Sequence, residues 1–204
     1  MLQIVQSGAG TGTDELLRTM FASRKKVFVD LLKWDVPVLD GRFEIDQFDD
    51  DHAVYLILAE EGGRHLGSAR LLPSTRPHIL GDLFPHLCDG PVPVDRTTWE
   101  ITRFLLDRDL TARERRVVRD ALVVNLVDHA LASGIERYTA IAEMEWVQQI
   151  LAFGWECWPL GIARNVDGET LAALEIRIDE HTPDHLAAAG ITDRLSTSIV
   201  RTIA

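Results

Sequence analysis

The sequence predicts an α/β (α+β) protein, a three-layer domain in which helices flank a mixed sheet. Strand-like runs come as a hairpin early in the chain and singly later, where they alternate with helical stretches. No repeat, low-complexity tract or interdomain linker interrupts the 204 residues, a length that suits one domain (1–204) with its own core.

Taken in order, residues 14–34 predict an amphipathic helix. Leu16, Met20, Val27 and Leu31 recur at helical spacing, with Leu17, Phe21, Phe28 and Leu32 beside them. Arg24 falls inside this apolar stripe, where a charge needs a partner. Residues 35–51 lack periodicity and carry Pro37, Gly41 and many acids, which predicts a long ordered loop. The runs 53–60 and 65–73, separated by Gly62-Gly63, read as a hairpin, and 99–107 as a further strand. A helix follows over 111–133, with Thr111 as its N-cap and Gly134 just past its end. A strand at 137–143, a helix at 145–154 and two strands around a turn at 165–168 complete the pattern. The tail from Pro183 onward reads as helical or loosely packed.

Composition excludes several function classes. A formal charge of −11 disfavours a nucleic-acid partner, because a phosphate backbone calls for a basic face. No apolar run approaches the roughly 18–20 residues of a membrane span, and the N-terminus lacks the pattern of a secretory signal, so a cytoplasmic location is expected. Cys88 and Cys157 have no metal-ligand spacing and read as reduced structural thiols.

Three arginines sit in apolar surroundings: Arg24, Arg70 in SARLL and Arg103 in TRFLL. Asp46, Asp49 and Glu100 are the carboxylates that could answer them in a shared ion-pair network. Such a network either pins the acidic loop to the sheet or builds a binding site, and spacing alone leaves both open. In a regular strand Glu100 and Arg103 would face opposite sides, so a shared pocket requires a bulge or bend near Thr102 or Arg103.

The run RKKVFVDLLKWDVPVLDGRFEIDQFDDDHAVYLI, then GSARLLPSTRPHILGDLFPHL and WEITRF, resembles the acyl-homoserine-lactone synthases, the autoinducer synthases of quorum sensing, over roughly residues 24–104. Arg24, Phe28, Trp34, Asp46, Asp49, Arg70, Glu100 and Arg103 match that family's characteristic set by position. The resemblance implies a GNAT-like fold with a twisted mixed sheet. It also implies transfer of an acyl group from a thioester to the amine of S-adenosylmethionine, followed by lactone closure and release of methylthioadenosine. No metal or prosthetic group is implied, since S-adenosylmethionine is a substrate. Guanidinium groups suit its carboxylate, acids its amine and sulfonium, and aromatic faces its cation or adenine. The implied binding residues are Phe28, Trp34, Arg24, Asp46 and Arg103, with Glu100 as the base and Arg103, Arg24, Asp46, Asp49 and Arg70 as further catalytic groups.

In the C-terminal half, Ala142 stands where many members making 3-oxo signals carry threonine, which predicts an acyl group without a 3-oxo function. Ala142, Trp146 and Phe153 are the candidate acyl-chain residues. Gln148 and Ala152 stand where users of acyl carrier protein place basic residues, so acyl-CoA and acyl carrier protein both remain as donors. Arg113, Arg115, Arg116 and Arg119 form a basic cluster that a solvated helix face explains equally well. Alternatives are a GNAT-type N-acyltransferase acting on another amine, a metal-binding or interaction module around Asp46, Asp49, Asp50 and Asp51, and an inactive binder of S-adenosylmethionine. No Q/R-x-x-G-x-G/A pattern precedes the helix at 111, and the acidic run lacks the spacing of an EF-hand loop.

Overall fold

Buried apolar strands and amphipathic helices sort the chain into two units in the computed structural model, which describes residues 1–6 and 14–195. The part of the predicted tail at 196–204 lies outside the described residues. The first unit holds Met1–Arg70, Arg103–Leu122 and the described residues from Asp193 on; the second holds Leu71–Thr102 and Val123–Thr192.

In the first unit β1 (Leu2–Gln6) pairs antiparallel with β4 (Val54–Ala59), with Ile4 opposite Leu56. All six residues of β4 are buried, as in a strand covered on both faces. The Gly62-Gly63 turn, with φ of +102° and +83°, leads into β5 (His65–Pro73), as the hairpin pattern predicts. The later residues of β6 (Thr98–Leu106) also belong here. Gly67 marks a close approach, because a Cβ there would fall 2.8 Å from Val118 Cγ1 and 3.1 Å from the Leu105 carbonyl.

The N-terminal helix departs from its expected form. Regular α-helix runs only over α1 (Asp14–Arg24), and the chain continues to Leu31 as a π-helix, with Leu32 N–H bonded to the Val27 carbonyl at 2.9 Å. Wider turns rotate the face. Leu16, Met20, Arg24 and Phe28 point inward, whereas Leu31 and Leu32 are exposed. The acidic loop contains a two-residue hairpin, β2 (Val38–Leu39) and β3 (Phe43–Glu44), turned at Asp40-Gly41 where both φ values are positive.

In the second unit Thr98–Ile101 of β6 run parallel to β7 (Arg137–Glu143). A parallel pair needs a crossover, and α3 (Ala112–Ser133) lies within it, its residues to Leu122 belonging to the first unit and those from Val123 to the second. Its N-terminus is a capping box: Thr111 N–H donates to Glu114 at 2.8 Å and Glu114 N–H to Thr111 Oγ1 at 3.4 Å. β7 lies antiparallel to β10 (Glu169–Arg177), which also pairs with β8 (Glu156–Pro159) and β9 (Arg164–Val166). Parallel and antiparallel pairs together make the mixed architecture expected. On one face of β10, α4 (Met144–Leu151) packs Val147 on Ala172 and Leu174. On the other, the short α2 (Ile79–Asp82) and the turn at Pro85–Leu87 pack Leu80 and Leu87 on Ala173. Helix α5 (Thr182–Ala188) follows. Among the described residues no helix is long and apolar enough to cross a membrane.

His65 and Ser68 are buried in β5 and bonded at 2.9 Å, so the strand departs from simple alternation between them. Burial lowers the His65 pKa to about 4, with a small opposing influence from Asp107. An unfolded histidine takes up its proton near pH 6.5, whereas the native one refuses it until about pH 4. Stability contributed by neutral His65 is therefore complete above pH 6.5 and is lost as pH falls toward 4, by up to about 3 kcal/mol. Urea unfolding at pH 7, 5.5 and 4.5 is expected to show this loss in the wild type and a smaller one in His65→Asn.

Candidate active site

Six charged side chains of the first unit form a closed alternating ring. Arg24 bonds Glu44 through Nε and clasps both oxygens of Asp49 at 2.7 and 2.9 Å. Arg70 reaches Asp49 at 2.8 Å and clasps Asp46 at 2.6 and 3.0 Å. Arg103 bridges Asp46 at 2.7 Å and Glu44 at 3.0 Å, which closes the ring. Three guanidinium charges meet three carboxylates, and every side chain is at most 10% exposed. Paired burial is what makes these charges tolerable.

Local structure delivers each member. Glu44 ends β3 and Asp46 follows two residues later, and both carboxylates meet Arg103. The loop folds on itself, with Phe48 N–H bonded to Asp46 and Asp46 N–H to Asp49, each at 2.9 Å. Tyr55 of β4 donates to Asp49 at 2.8 Å. Burial pushes the Asp49 pKa up, but Arg24 and Arg70 outweigh it and hold the carboxyl well below its usual range. Burial pulls Arg24 down, and the charges of Asp49 and Glu44 more than restore it. Burial and the adjacent Asp49 raise the Tyr55 hydroxyl far above its ordinary value.

One side of the ring carries an aromatic platform. Phe28 and Trp34 stack with centroids 4.7 Å apart and planes 16° from parallel, and the Arg103 guanidinium lies 5.5 and 5.8 Å from the two rings. Phe28 is buried, whereas Trp34 is 36% exposed. Arg103 has φ of +49° within β6, so the break in alternation falls at Arg103 itself.

The sequence reasoning paired Arg24, Arg70 and Arg103 with Asp46, Asp49 and Glu100. Glu44 takes the third place in the ring. Glu100, fully buried in the second unit, accepts hydrogen bonds from Ile79 N–H and Leu80 N–H at 2.8 and 2.9 Å. Glu44 was missed because it is one of many acids in the aperiodic stretch 35–51; the signal available was the two-residue spacing of Glu44 and Asp46.

The second unit also holds a cavity of about 540 Å³. Met144, Val147 and Leu151 of α4, Ala172 and Leu174 of β10, and Pro159 to Ala163 line it, with Asp89 the one charged lining residue. Ala142 lies opposite Ala172 and packs against the Val147–Ala172–Leu174 cluster. Trp146 and Phe153 are not among the lining residues; Trp146 is half-buried, and Phe153 packs edge-on to Trp155 at 5.5 Å. Gln148 and Ala152 are exposed. In the basic cluster, Arg115 bonds the Asp107 carbonyl and Arg119 the Asp120 carboxylate, while Arg113 and Arg116 are exposed.

Residues 12–186 match the family model for autoinducer synthases. The chain belongs to the autoinducer synthase family. An acyl-homoserine-lactone synthase of Ralstonia nicotianae is 36% identical over 174 residues, covering 82% of this chain and 83% of the relative. The structure of BjaI, a CoA-dependent acyl-homoserine lactone synthase solved with SAM and isopentyl-CoA, covers 98% of this chain and 99% of its own, at 27% identity and a TM-score of 0.84. The GNAT-like fold is shared more distantly by a Lactobacillus plantarum protein assigned as an N-acetyltransferase, at 14% identity and a TM-score of 0.57 over 87% of this chain and 99% of that one. This autoinducer synthase is accordingly a transferase.

Deleting one member of a buried charge ring strands its partners, at a cost of about 3–5 kcal/mol. Glu44→Ala is expected to lose that much in urea unfolding, and Glu44→Gln less, because the amide oxygen still accepts a hydrogen bond. Equal stability of Glu44→Ala and wild type would show that the ring does not hold the unit together.

Proposed function

We propose that the enzyme transfers an acyl group lacking a 3-oxo function from acyl-CoA to the α-amine of S-adenosylmethionine, and then closes the lactone with release of methylthioadenosine. The observation that carries the reading is the Phe28–Trp34 stack with Arg103 against it. A half-exposed aromatic face beside a guanidinium suits a ligand that has both a planar base and a carboxylate. Arg24, Arg70 and Asp49 are engaged with one another and hold Asp46 and Arg103 in place. In this reading they act on the substrate through those two groups.

In the first step the α-ammonium gives up a proton and the amine attacks the thioester carbonyl. The carbon–sulfur bond breaks, the thiol leaves with a second nitrogen proton, and one proton is released overall. Glu100 is the base we assign. The backbone N–H groups of Ile79 and Leu80, one on each carboxylate oxygen, hold its carboxylate in place. In the second step the substrate carboxylate attacks the γ-carbon and the carbon–sulfonium bond breaks, releasing neutral methylthioadenosine without proton transfer. Holding the carboxylate in an attacking geometry is the work this step requires.

The acyl group is assigned to the cavity of the second unit. Its lining has no hydroxyl or amide side chain, and Ala142 behind it offers none, so a 3-oxo oxygen would stay unpaired there. An acyl-CoA donor is favoured because the charge of −11 opposes docking of an acidic carrier protein, and because the neighbour BjaI is CoA-dependent.

Purified enzyme incubated with S-adenosylmethionine and a panel of acyl-CoA substrates is expected to release methylthioadenosine and acyl-homoserine lactones without 3-oxo groups. Thiol release with other amines but no methylthioadenosine would instead establish a general N-acyltransferase. Glu100→Gln is expected to lower kcat by about 10²–10⁴-fold, the range of general-base contributions. Leu151→Trp, made at a cavity-lining residue that is 46% exposed, is expected to raise KM for the acyl donor while leaving KM for S-adenosylmethionine unchanged. A uniform change in both would remove the cavity from the acyl assignment.

A further inference from the structure

The cavity of the second unit has a fixed wall and an uncovered rim. Leu160 in the wall is tied through both of its backbone groups. Its carbonyl accepts from Asp89 N–H at 3.0 Å, and its N–H donates to the Ala173 carbonyl at 2.8 Å. At Gly161 a Cβ would fall 2.5 Å from the Leu87 carbonyl oxygen and 2.8 Å from the Asp89 nitrogen. Only glycine lets the wall sit there, and a wall packed so closely on the preceding turn cannot retreat. Ala172 and Leu174 of β10, both buried, also line the cavity.

The rim is apolar. Met144, Val147 and Leu151 line the cavity at positions i, i+3 and i+7, a single stripe along the whole of α4. Val147 in the middle is buried, whereas Met144 and Leu151 at the two ends are 38% and 46% exposed. Ile162, in the segment after β8, is 72% exposed. Single exposed apolar side chains are ordinary, but three around one cavity form a patch that marks a ligand site. Asp89, the one charged lining residue, already has Arg164 at 3.7 Å, so the ligand these groups suit is apolar along its length.

Two magnitudes set the size of that ligand. From Met144 to Leu151 the stripe runs about 10 Å, which an extended chain with carbon–carbon bonds of about 1.5 Å covers with roughly eight carbons. A volume of about 540 Å³ falls in the range of roughly 300–1,000 Å³ that encloses drug-sized ligands. A short acyl group of about four or five carbons would leave much of it unfilled, and the rim uncovered.

We infer that the cavity selects a straight acyl chain of about eight carbons or more, and that Ile162 is a specificity-determining residue which such a chain covers. This rests on the assignment of the acyl group to the cavity above and names the substrate class of that same site.

Calorimetric binding of butanoyl-, hexanoyl-, octanoyl-, decanoyl- and isovaleryl-CoA is measured for wild type and Ile162→Ser, alongside methylthioadenosine release with each donor. Wild-type affinity is expected to rise at least tenfold from butanoyl- to decanoyl-CoA, since each buried methylene contributes up to about fourfold. Isovaleryl-CoA is expected to bind no better than hexanoyl-CoA. In Ile162→Ser the decanoyl-to-butanoyl affinity ratio is expected to fall about threefold or more. General damage to the fold would weaken all donors together and leave that ratio as it was. A wild-type affinity that peaks at butanoyl or isovaleryl, is flat along the series, or is absent for every donor overturns the chain-length assignment. An unchanged ratio in Ile162→Ser overturns the role of Ile162. Thermal melts check folding, and should Ile162→Ser fail to fold, Ile162→Ala takes its place with the same expected fall. Binding is read without turnover, so a rising series without methylthioadenosine release would defeat the functional reading alone.

Discussion

Charge neutrality inside the six-membered ring is the constraint on which the first unit depends. Arg24 comes from α1, Glu44 from β3, Asp46 and Asp49 from the loop, Arg70 from β5 and Arg103 from β6, so one network ties five segments together. Buried ion pairs add little net stability, because desolvation offsets their attraction, but they penalise every arrangement that leaves one charge unmatched. A stretch of chain without helix or strand periodicity is thereby held in one conformation. The wide π-helical turns belong to the same constraint, since they keep Phe28 on the face already set by Leu16, Met20 and Arg24.

The second unit separates its chemistry by the two faces of its strands. Ala142, Ala172 and Leu174 share the face under α4, where the cavity is lined almost wholly by apolar groups. Thr139 lies opposite both Glu100 and Glu175, on the face packed by α2. Strand alternation alone sets this division, with odd positions of β7 on one side and even positions on the other.

Much of this was legible in the sequence, for identifiable reasons. The limits of β5 and β7 match the strand patterns residue for residue, and Thr111 is the cap its side chain predicts, because local chemistry decides those features. The three arginines stood out because guanidinium groups in apolar runs are costly. Their partners were harder, since Glu44 is one acid among many in an aperiodic stretch and Glu100 lies in a strand-like run, and only tertiary packing decides between them. β1 was missed because it is an edge strand with Ile4 half-exposed, and α2 because a one-turn helix has no periodicity to read. The cavity was invisible because Pro159 to Gly161 reads as the end of a strand, and nothing in its composition announces that it shares a cavity with Val147 and Leu151.

Arg103 shows how the two scales meet. It stands within β6 at φ +49°, in the left-handed region, where regular strand alternation breaks. Such a conformation costs of order 1–3 kcal/mol for a residue with a side chain and persists only where its surroundings over-determine it. Here they do. Glu44 and Asp46 hold the guanidinium from one side, and Phe28 with Trp34 covers it from the other. Glycine at this position would relieve the backbone but open the ring, leaving two buried carboxylates short of a positive charge. The strain is thus sustained by the charge balance of the ring, and its consequence is to fix, beside a half-exposed aromatic face, the least buried guanidinium of the three.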